Sequence, residues 1–222
     1  TRAATEAGAG TCVGRPVAPN QVRIIAIDDA PIAHWSAVVE LPAGEVGEIT
    51  VAGPTTTDSY FNREAATIAA KIVEVRADGG EQVVHRMGDV GYFDAEGRLW
   101  FCGRKTQRVQ AADRALYTEQ VEPVFNAHPQ VRRTALVGVG VPGAQRPVLC
   151  VELAAGVDAG QFQRIQGELR TLAAAHAHTA PVATFLRHPG FPVDIRHNAK
   201  IGREKLAAWA GAALSAGSGG AA

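Results

Sequence analysis

The sequence predicts an α+β fold, in which a mostly β first part is followed by a smaller mixed α+β part. Up to about residue 104, short runs of β-branched and aromatic residues are separated by Pro, Gly and Asp, which is typical of strands and turns. Beyond that point, apolar residues recur every three and four positions between further β-rich runs. This spacing indicates amphipathic helices among strands.

Three strands and a hairpin are predicted in the first part. The strands cover residues 22–27, 47–52 and 98–102. Asp94-Ala95-Glu96-Gly97 has the composition of a tight turn and would join residues 90–93 to residues 98–102. Such a hairpin would present Asp89 at one of its ends.

The second part alternates helices with strands. Helices are predicted around residues 121–125, 162–172 and 206–209, and strands over 131–141, 148–153 and 184–186. Between the two parts, residues 103–108 are polar, contain three cations and show no apolar period, so we place the domain boundary there. The predicted domains are therefore 1–104 and 105–214, and the Gly- and Ser-rich residues 215–222 are expected to form a disordered tail.

The composition restricts the classes of partner. The 222 residues contain 22 Lys and Arg against 22 Asp and Glu, so no net charge attracts nucleic acid or an anionic membrane. No apolar run is long enough to cross a bilayer and no secretion signal is recognisable, so the expected location is the cytoplasm. The three cysteines and the seven histidines show no metal-ligand spacing, and we assign no metal to the chain itself.

Three charged residues are candidates for binding an acidic nucleotide. The two oxygens of Asp89 can accept hydrogen bonds from adjacent ribose hydroxyls, although a Gly-Asp pair can equally be a turn in which Asp caps its own backbone. Arg104 follows an aromatic strand and can bind phosphate or ribose oxygens, or be a solvated linker residue. Lys200 lies just before a predicted helix, where a long cation reaches an anionic centre or simply faces solvent.

Several segments occur in the order found in one enzyme superfamily. Gly47-Glu48-Ile49-Thr50-Val51-Ala52-Gly53-Pro54, Arg86-Met87-Gly88-Asp89, Gly103-Arg104 and Asn198-Ala199-Lys200-Ile201-Gly202-Arg203 follow one another along the chain. Together they resemble the C-terminal part of the adenylate-forming superfamily of acyl-CoA synthetases, peptide-synthetase adenylation domains and luciferases. The resemblance runs nearly end to end, with Tyr60 and Thr67 behind the first segment.

The resemblance implies a fold, a reaction and a set of site residues. Residues 1–104 would be the β-rich end of the large AMP-binding domain and the rest a lid that turns about a hinge. Such enzymes join a carboxylate to AMP with loss of pyrophosphate, using ATP and Mg²⁺, and then pass the acyl group to a second nucleophile. Asp89, Arg104 and Phe101 would bind the nucleotide, and Lys200 would be the adenylation lysine that offsets charge between carboxylate and α-phosphate.

Two departures from the superfamily pattern bear on the second step. The pivot position, usually Asp or Lys, is Thr106. The loop beyond it usually contains a glycine beside which a pantetheine arm passes, but here it reads Gln110-Ala111-Ala112-Asp113. The aspartate would crowd and repel a phosphate-bearing thiol cofactor, so the use of CoA is doubtful.

The segment 191–201, with 86–89 and 100–105, resembles the β-lactone synthetases of olefin biosynthesis. These enzymes adenylate a 2-alkyl-3-hydroxy fatty acid, whose own hydroxyl displaces AMP and closes a four-membered ring. The alternatives are a long-chain fatty acyl-CoA synthetase and a non-catalytic nucleotide-binding module. A lactone-forming enzyme would work beside other enzymes of hydrocarbon biosynthesis.

Two superfamily segments are expected upstream of Gly47, and neither is present. They are the hydroxyl- and glycine-rich phosphate loop and the Tyr-Gly-x-Thr-Glu segment. We therefore expect this chain alone to be inactive and to depend on a preceding part of the same enzyme for the phosphate cradle and the acyl tunnel.

Overall fold

The computed structural model describes residues 1–194 and 200–218, which divide into two compact units. The first unit is Gly10–Thr106, and the second combines Thr1–Ala9 with Gln107–Ala222. The predicted α+β class is confirmed, since a mainly β unit accompanies one of mixed helices and strands. The predicted domain limits, and the identity of the second part as a lid, stay predictions.

The first unit is built on one antiparallel sheet. Its strands are β1 (Thr11–Gly14), β2 (Gln21–Ile25), β3 (Gly47–Ala52), β4 (Lys71–Val75), β5 (Glu81–Phe93) and β6 (Leu99–Arg104). Their order is β1-β6-β5-β3-β2, and β4 pairs with the early part of β5. Three strands, β3, β4 and β6, pair with the long strand β5, which is therefore the central strand of the sheet.

The predicted hairpin is present as β5 and β6. Tyr92 lies opposite Trp100 across the hairpin. In the turn, Asp94 accepts hydrogen bonds from the backbone N–H groups of Glu96 and Arg98, and Gly97 has φ +72°. The left-handed backbone at Gly97 is the reason that this turn ends in glycine.

A small core, a 3-10 helix and a short α-helix complete the described part of the first unit. The buried residues Ile25, Ala52, Ile72 and Val84 join β2, β3, β4 and β5, and a 3-10 helix at Trp35–Ala37 packs beside them. Helix α2 (Glu64–Ala70) leads directly into β4. Neither α2 nor β4 was predicted, and neither was the early half of β5.

The second unit contains a three-stranded sheet with helices on both faces. Its sheet has the order β11-β10-β9, with β10 antiparallel to β9 and parallel to β11. The elements are α1 (Arg2–Glu6), β7 (Val109–Gln110), β8 (Ala115–Leu116), α3 (Thr118–Asn126), β9 (Val131–Val139), β10 (Arg146–Leu153), α4 (Phe162–Ala174), β11 (Thr184–Arg187), β12 (Val193–Asp194), β13 (Lys200–Ile201) and α5 (Arg203–Ser218).

Successive side chains of the central strand β10 point to opposite faces of the sheet and divide this core into two layers. Leu149 and Val151 of β10 pack with α3 and α4, whereas Val148 and Cys150 pack with Leu206 and Ala210 of α5. This follows from the period of two in a strand, which sends successive side chains to opposite faces. Both faces are covered, so β10 is a continuous apolar run in the sequence.

The end of the chain differs in part from the predicted disordered tail. Helix α5 continues to Ser218, so residues 215–218 are helical where a disordered tail was expected. Residues 219–222, the rest of that tail, lie outside the described residues. So do residues 195–199, which include Asn198 and Ala199 of the last motif.

Candidate nucleotide site and lysine hairpin

A bulge in β5 places Asp89 at the edge of the pairing with β3. Glu48 lies opposite Val90 and Thr50 lies opposite Arg86, so three residues of β5 face one residue of β3. Gly88, in the middle of this bulge, has φ +67°, a conformation that side chains with a Cβ adopt at a cost. The Gly-Asp pair is therefore a bulge within a strand and not a free turn, and it re-aims the aspartate.

Asp89 and Arg104 lie opposite each other on β5 and β6. Nη1 of Arg104 is 2.8 Å from Oδ1 of Asp89, and the aspartate is mostly buried while the arginine is half exposed. Among the residues that the structure describes, none donates a well-aligned hydrogen bond to this buried oxygen. Burial raises the pKa of Asp89, and the positive charge of Arg104 opposes that rise. The carboxylate thus keeps an acceptor for a donor from outside the chain.

A buried charge cluster involves residues that neighbour this pair in the sequence. The carboxylate of Glu48 accepts hydrogen bonds from Nε and Nη2 of Arg86 at 3.1 and 2.7 Å, and from Nζ of Lys105 at 3.1 Å. Arg86 also donates to the carbonyl oxygens of Asp28 and Ala30. This cluster ties together the segments that carry Gly47, Asp89 and Arg104.

An open depression lies beside the bulge. It has a volume of about 480 Å³, and its lining includes Glu48, Arg86, Lys105 and Gly88. Small residues of α2 also line it. Phe101, the third predicted nucleotide contact, lies half-buried on β6 opposite Gly91.

Lys200 is exposed at the first position of β13 in the second unit, where it lies opposite Asp194 of β12. The backbone N–H of Gly202 donates to the carbonyl of Pro192 at 2.7 Å, which closes this two-stranded hairpin. We call β12 and β13 the lysine hairpin.

Arg203, the last residue of the lysine motif, is a structural residue. Its guanidinium lies on the carboxylate of Glu122 in α3, with Nη2 to Oε2 at 2.9 Å, and it donates to the carbonyl of Leu136 in β9. Burial raises the pKa of Glu122, and Arg203 opposes this rise. The pair fixes the start of α5, and with it the chain that leaves β13.

The loop predicted to disfavour CoA is a tight turn between β7 and β8. Ala111 N–H donates to the carbonyl of Arg114, and Asp113 is exposed with its Oδ2 2.8 Å from Nη2 of Arg114. Because the arginine offsets the charge of the aspartate, a phosphate-bearing cofactor would be repelled less than the sequence predicts. The glycine beside which a pantetheine arm would pass is still missing.

The sequence indicated the residues that could contact a ligand and missed the buried charges that support them. Glu48, Arg86, Lys105 and Arg203 entered only as members of motifs, although their charges organise the site. Glu48 and Arg86 lie on strands beside an apolar residue, which is a signal in the sequence, whereas Lys105 and Arg203 carry no such signal. Within the described residues 1–194 and 200–218, no cluster of metal-ligating side chains occurs, and no helix is long and apolar enough to cross a membrane.

Two curated relatives cover nearly all of the chain. The olefin beta-lactone synthetase of Xanthomonas campestris pv. campestris is 75% identical over 210 residues, which are 95% of this chain and 38% of that protein. That of Stenotrophomonas maltophilia is 71% identical over 96% of this chain and 38% of its own length. The chain belongs to the adenylate-forming superfamily. No protein-family model matches it, and it spans about 38% of the length of these two relatives.

Solved structures of other adenylate-forming enzymes share the fold. The amide bond synthetase McbA from Marinactinospora thermotolerans is 28% identical, with a TM-score of 0.67 over 90% of this chain and 36% of that one. O-succinylbenzoate coenzyme A synthetase (MenE) from Bacillus subtilis, in complex with ATP and magnesium ion, is 26% identical. Its TM-score is 0.62 over 88% of this chain and 35% of that one.

Proposed function

We propose that this chain is the ribose-binding and lid portion of an ATP-dependent ligase that activates a long-chain carboxylic acid as its acyl-adenylate. The observation that carries the proposal is the Asp89–Arg104 pair, whose buried carboxylate oxygen lacks an aligned donor among the described residues. The names of the two curated relatives support the same reading. This oxygen fits a ribose hydroxyl, which would supply the missing donor.

The residues of this chain would act in two places. In the first unit, Asp89 accepts hydrogen bonds from the ribose, Arg104 faces nucleotide oxygens with its exposed edge, and Phe101 contacts the nucleotide. In the second unit, the ammonium of Lys200 offsets the negative charge that builds between the carboxylate and the α-phosphate. Mg²⁺ would accompany the triphosphate, whose cradle is expected upstream.

We infer that the acid is a 2-alkyl-3-hydroxy fatty acid and that the product is a β-lactone. The first step joins the carboxylate to AMP and releases pyrophosphate. In the second step the 3-hydroxyl oxygen attacks the acyl carbon, the acyl–phosphate bond breaks, AMP leaves and the hydroxyl proton passes to solvent. No external thiol is needed, which agrees with a β7–β8 loop that lacks the glycine.

A long-chain fatty acyl-CoA synthetase is the second candidate. It is favoured by the Asp113–Arg114 ion pair, since this pair removes the charge that would repel a phosphate-bearing cofactor. The two candidates differ in their need for CoA. A non-catalytic module is a third, weaker candidate, because a module that only binds nucleotide would not need Lys200.

Mass spectrometry of the products tests the proposal. The complete parent enzyme would receive ATP, Mg²⁺ and a 2-alkyl-3-hydroxy fatty acid, with and without CoA. A product lighter than the acid by one water, formed without CoA, supports the lactone. A thioester that forms only with CoA would replace this proposal with the acyl-CoA synthetase.

Variants of two lysines test the catalytic assignment. Lys200→Ala should reduce pyrophosphate exchange to a small residual rate while leaving ATP binding nearly unchanged. Lys205→Ala, an exposed lysine on α5, is the matched control and should change neither. Unchanged exchange in Lys200→Ala would refute the role of this lysine. Absence of exchange in the parent enzyme itself would favour the non-catalytic module.

A further inference from the structure

The lysine hairpin is too short to hold its own position. Each of its strands has only two residues, and an isolated two-stranded hairpin is marginally stable even when it is longer. The described chain around it must therefore supply the order that a catalytic lysine needs.

Phe191, two residues before the hairpin, is the main anchor on this side. Its ring is buried against Leu206 and Cys150. The guanidinium of Arg133 lies 5.1 Å from the ring centre, and the ring of His188 meets it edge-on with centroids 5.7 Å apart. The next residue, Pro192, supplies the carbonyl that accepts from Gly202 on the far side of Lys200.

Glu152, near the end of β10, fixes the backbone of this anchor. Its Oε2 accepts a hydrogen bond from the N–H of Phe191 at 3.0 Å and one from Nε of Arg133 at 2.8 Å, and its Oε1 lies 2.5 Å from Nη1 of Arg132. The carboxylate is almost completely buried. Its burial raises the pKa, but the Phe191 N–H and the two arginines lower it further, so the pKa lies below its ordinary value.

A second aromatic contact joins the anchor to the helix that follows Lys200. His188 meets Trp209 of α5 edge-on at 4.6 Å between ring centroids, and its Nδ1 accepts from the N–H of Gly190. The chain is thus held before the hairpin by β10 and after it by α5. Both ends of the hairpin are fixed to the same core.

From this arrangement we propose that Glu152, acting through Phe191, is a positioning residue for Lys200. The inference rests on the proposed function, because it assumes that Lys200 acts in adenylation. Glu152 touches no substrate in this scheme. It holds the backbone from which the hairpin departs, and displacement of a catalytic group by about 1 Å can lower a rate by about 100-fold.

The test uses the complete parent enzyme and measures pyrophosphate exchange. Glu152→Ala should lower kcat by about 30- to 100-fold while the KM for ATP changes by less than about threefold, because only lysine placement is disturbed. Glu152→Gln keeps an oxygen that accepts from Phe191 N–H and should recover most of the loss. Glu204→Ala, on the exposed face of α5, is the control and should behave as the parent.

A double variant separates positioning from general damage. If Glu152 acts through Lys200, adding Glu152→Ala to Lys200→Ala should cause no further loss of the residual rate. A further loss as large as that in the parent would overturn the proposal. Loss of exchange in Lys200→Ala, measured alongside, shows separately whether the proposed function itself holds.

Proteolysis provides a readout independent of catalysis. Cleavage by trypsin after Lys200 should become about tenfold faster in Glu152→Ala, because the hairpin opens more often. Phe191→Leu keeps an apolar side chain in the core but removes the ring contacts, so it tests the anchor if Glu152→Ala fails to fold. Unchanged cleavage in folded variants would overturn the proposal.

Discussion

Replacing Glu48 by Gln should destabilise the first unit strongly without touching the predicted nucleotide contacts. The carboxylate is 1% exposed and faces Arg86, which is 2% exposed, and Lys105, which is 13% exposed. The substitution removes the carboxylate charge that both cations face. Removing one partner of a buried ion pair typically costs about 3–5 kcal/mol.

The structure places the expected cost at the lower end of that range. Arg86 keeps its hydrogen bonds to the carbonyls of Asp28 and Ala30, and Lys105 keeps a bond of 3.0 Å to the carbonyl of Asp28. We therefore expect a loss of about 3 kcal/mol. With a urea m-value of about 1–3 kcal/mol per molar, the midpoint should fall by about 1–3 M.

Tryptophan fluorescence during urea unfolding can isolate this unit. Trp35 and Trp100 lie in the first unit and Trp209 in the second. Trp209→Phe in both the parent and the Glu48→Gln chain leaves a signal from the first unit alone. The control is Glu45→Gln, on an exposed residue of the same segment. It should change the free energy of unfolding by less than about 0.5 kcal/mol. Equal midpoints for the two variants would refute the account of the buried cluster.

Arg203→Met should lower the free energy of unfolding of the second unit by about 3 kcal/mol in urea titrations followed by Trp209, because Glu122 is left buried and unpaired; a loss below about 1 kcal/mol would contradict this. Gly88→Ala should cost about 1–2 kcal/mol through its left-handed backbone, whereas Gly167→Ala, inside α4 with open space around it, should stabilise by about 0.5–1 kcal/mol. Asp89→Asn should weaken ATP binding to the parent enzyme about 10- to 100-fold, as expected on losing charged hydrogen bonds. Since burial raises the pKa of Asp89, the ionised acceptor is lost as pH falls, so ATP affinity measured by calorimetry should drop at a higher pH than for an exposed aspartate.

The Asp89 carboxylate also has a consequence for stability. A buried acid whose folded pKa is raised destabilises the folded state when it is ionised, and this penalty disappears as pH falls through the folded pKa. Asp89→Asn should therefore melt at a slightly higher temperature than the parent at neutral pH. A function that is lost while stability rises is the expected signature of a binding residue. A lower melting temperature would instead indicate a structural turn.

Segments that carry their own strand or turn pattern were predictable, and a strand whose apolar pattern is interrupted by charges was not. The 47–52 strand and the 94–97 turn were predicted because each carries its own pattern of β-branched or turn residues. β4 was missed, since Lys71 and Glu74 interrupt its apolar pattern and both make side-chain contacts that only the fold supplies. It forms a hairpin with the start of β5, from Val75 opposite Glu81 to Lys71 opposite His85, so the pattern of residues and not a distant partner hid this strand.

The candidate site was likewise predictable only in part. Asp89, Arg104 and Lys200 could be named because they occur at fixed spacings, but their alternatives remained open, since a spacing does not tell whether a charge is buried. The structure joins Asp89 to Arg104 by strand pairing, and no described residue donates a well-aligned hydrogen bond to Oδ1 of the aspartate. Lys200 lies in the other unit, so its role stays a proposal.

Two motifs pair a charge that could bind a ligand with a buried arginine three residues away. Arg86 precedes Asp89, and Arg203 follows Lys200, and in both cases the arginine is bound to a buried glutamate. An arginine suits this position because it stays charged when buried and binds two acceptors at once. The buried member fixes the backbone, and the nearby charge is then free to face a ligand. Substitution of the arginines should therefore act mainly on stability. Substitution of Asp89 or Lys200 should lower activity and leave the fold intact.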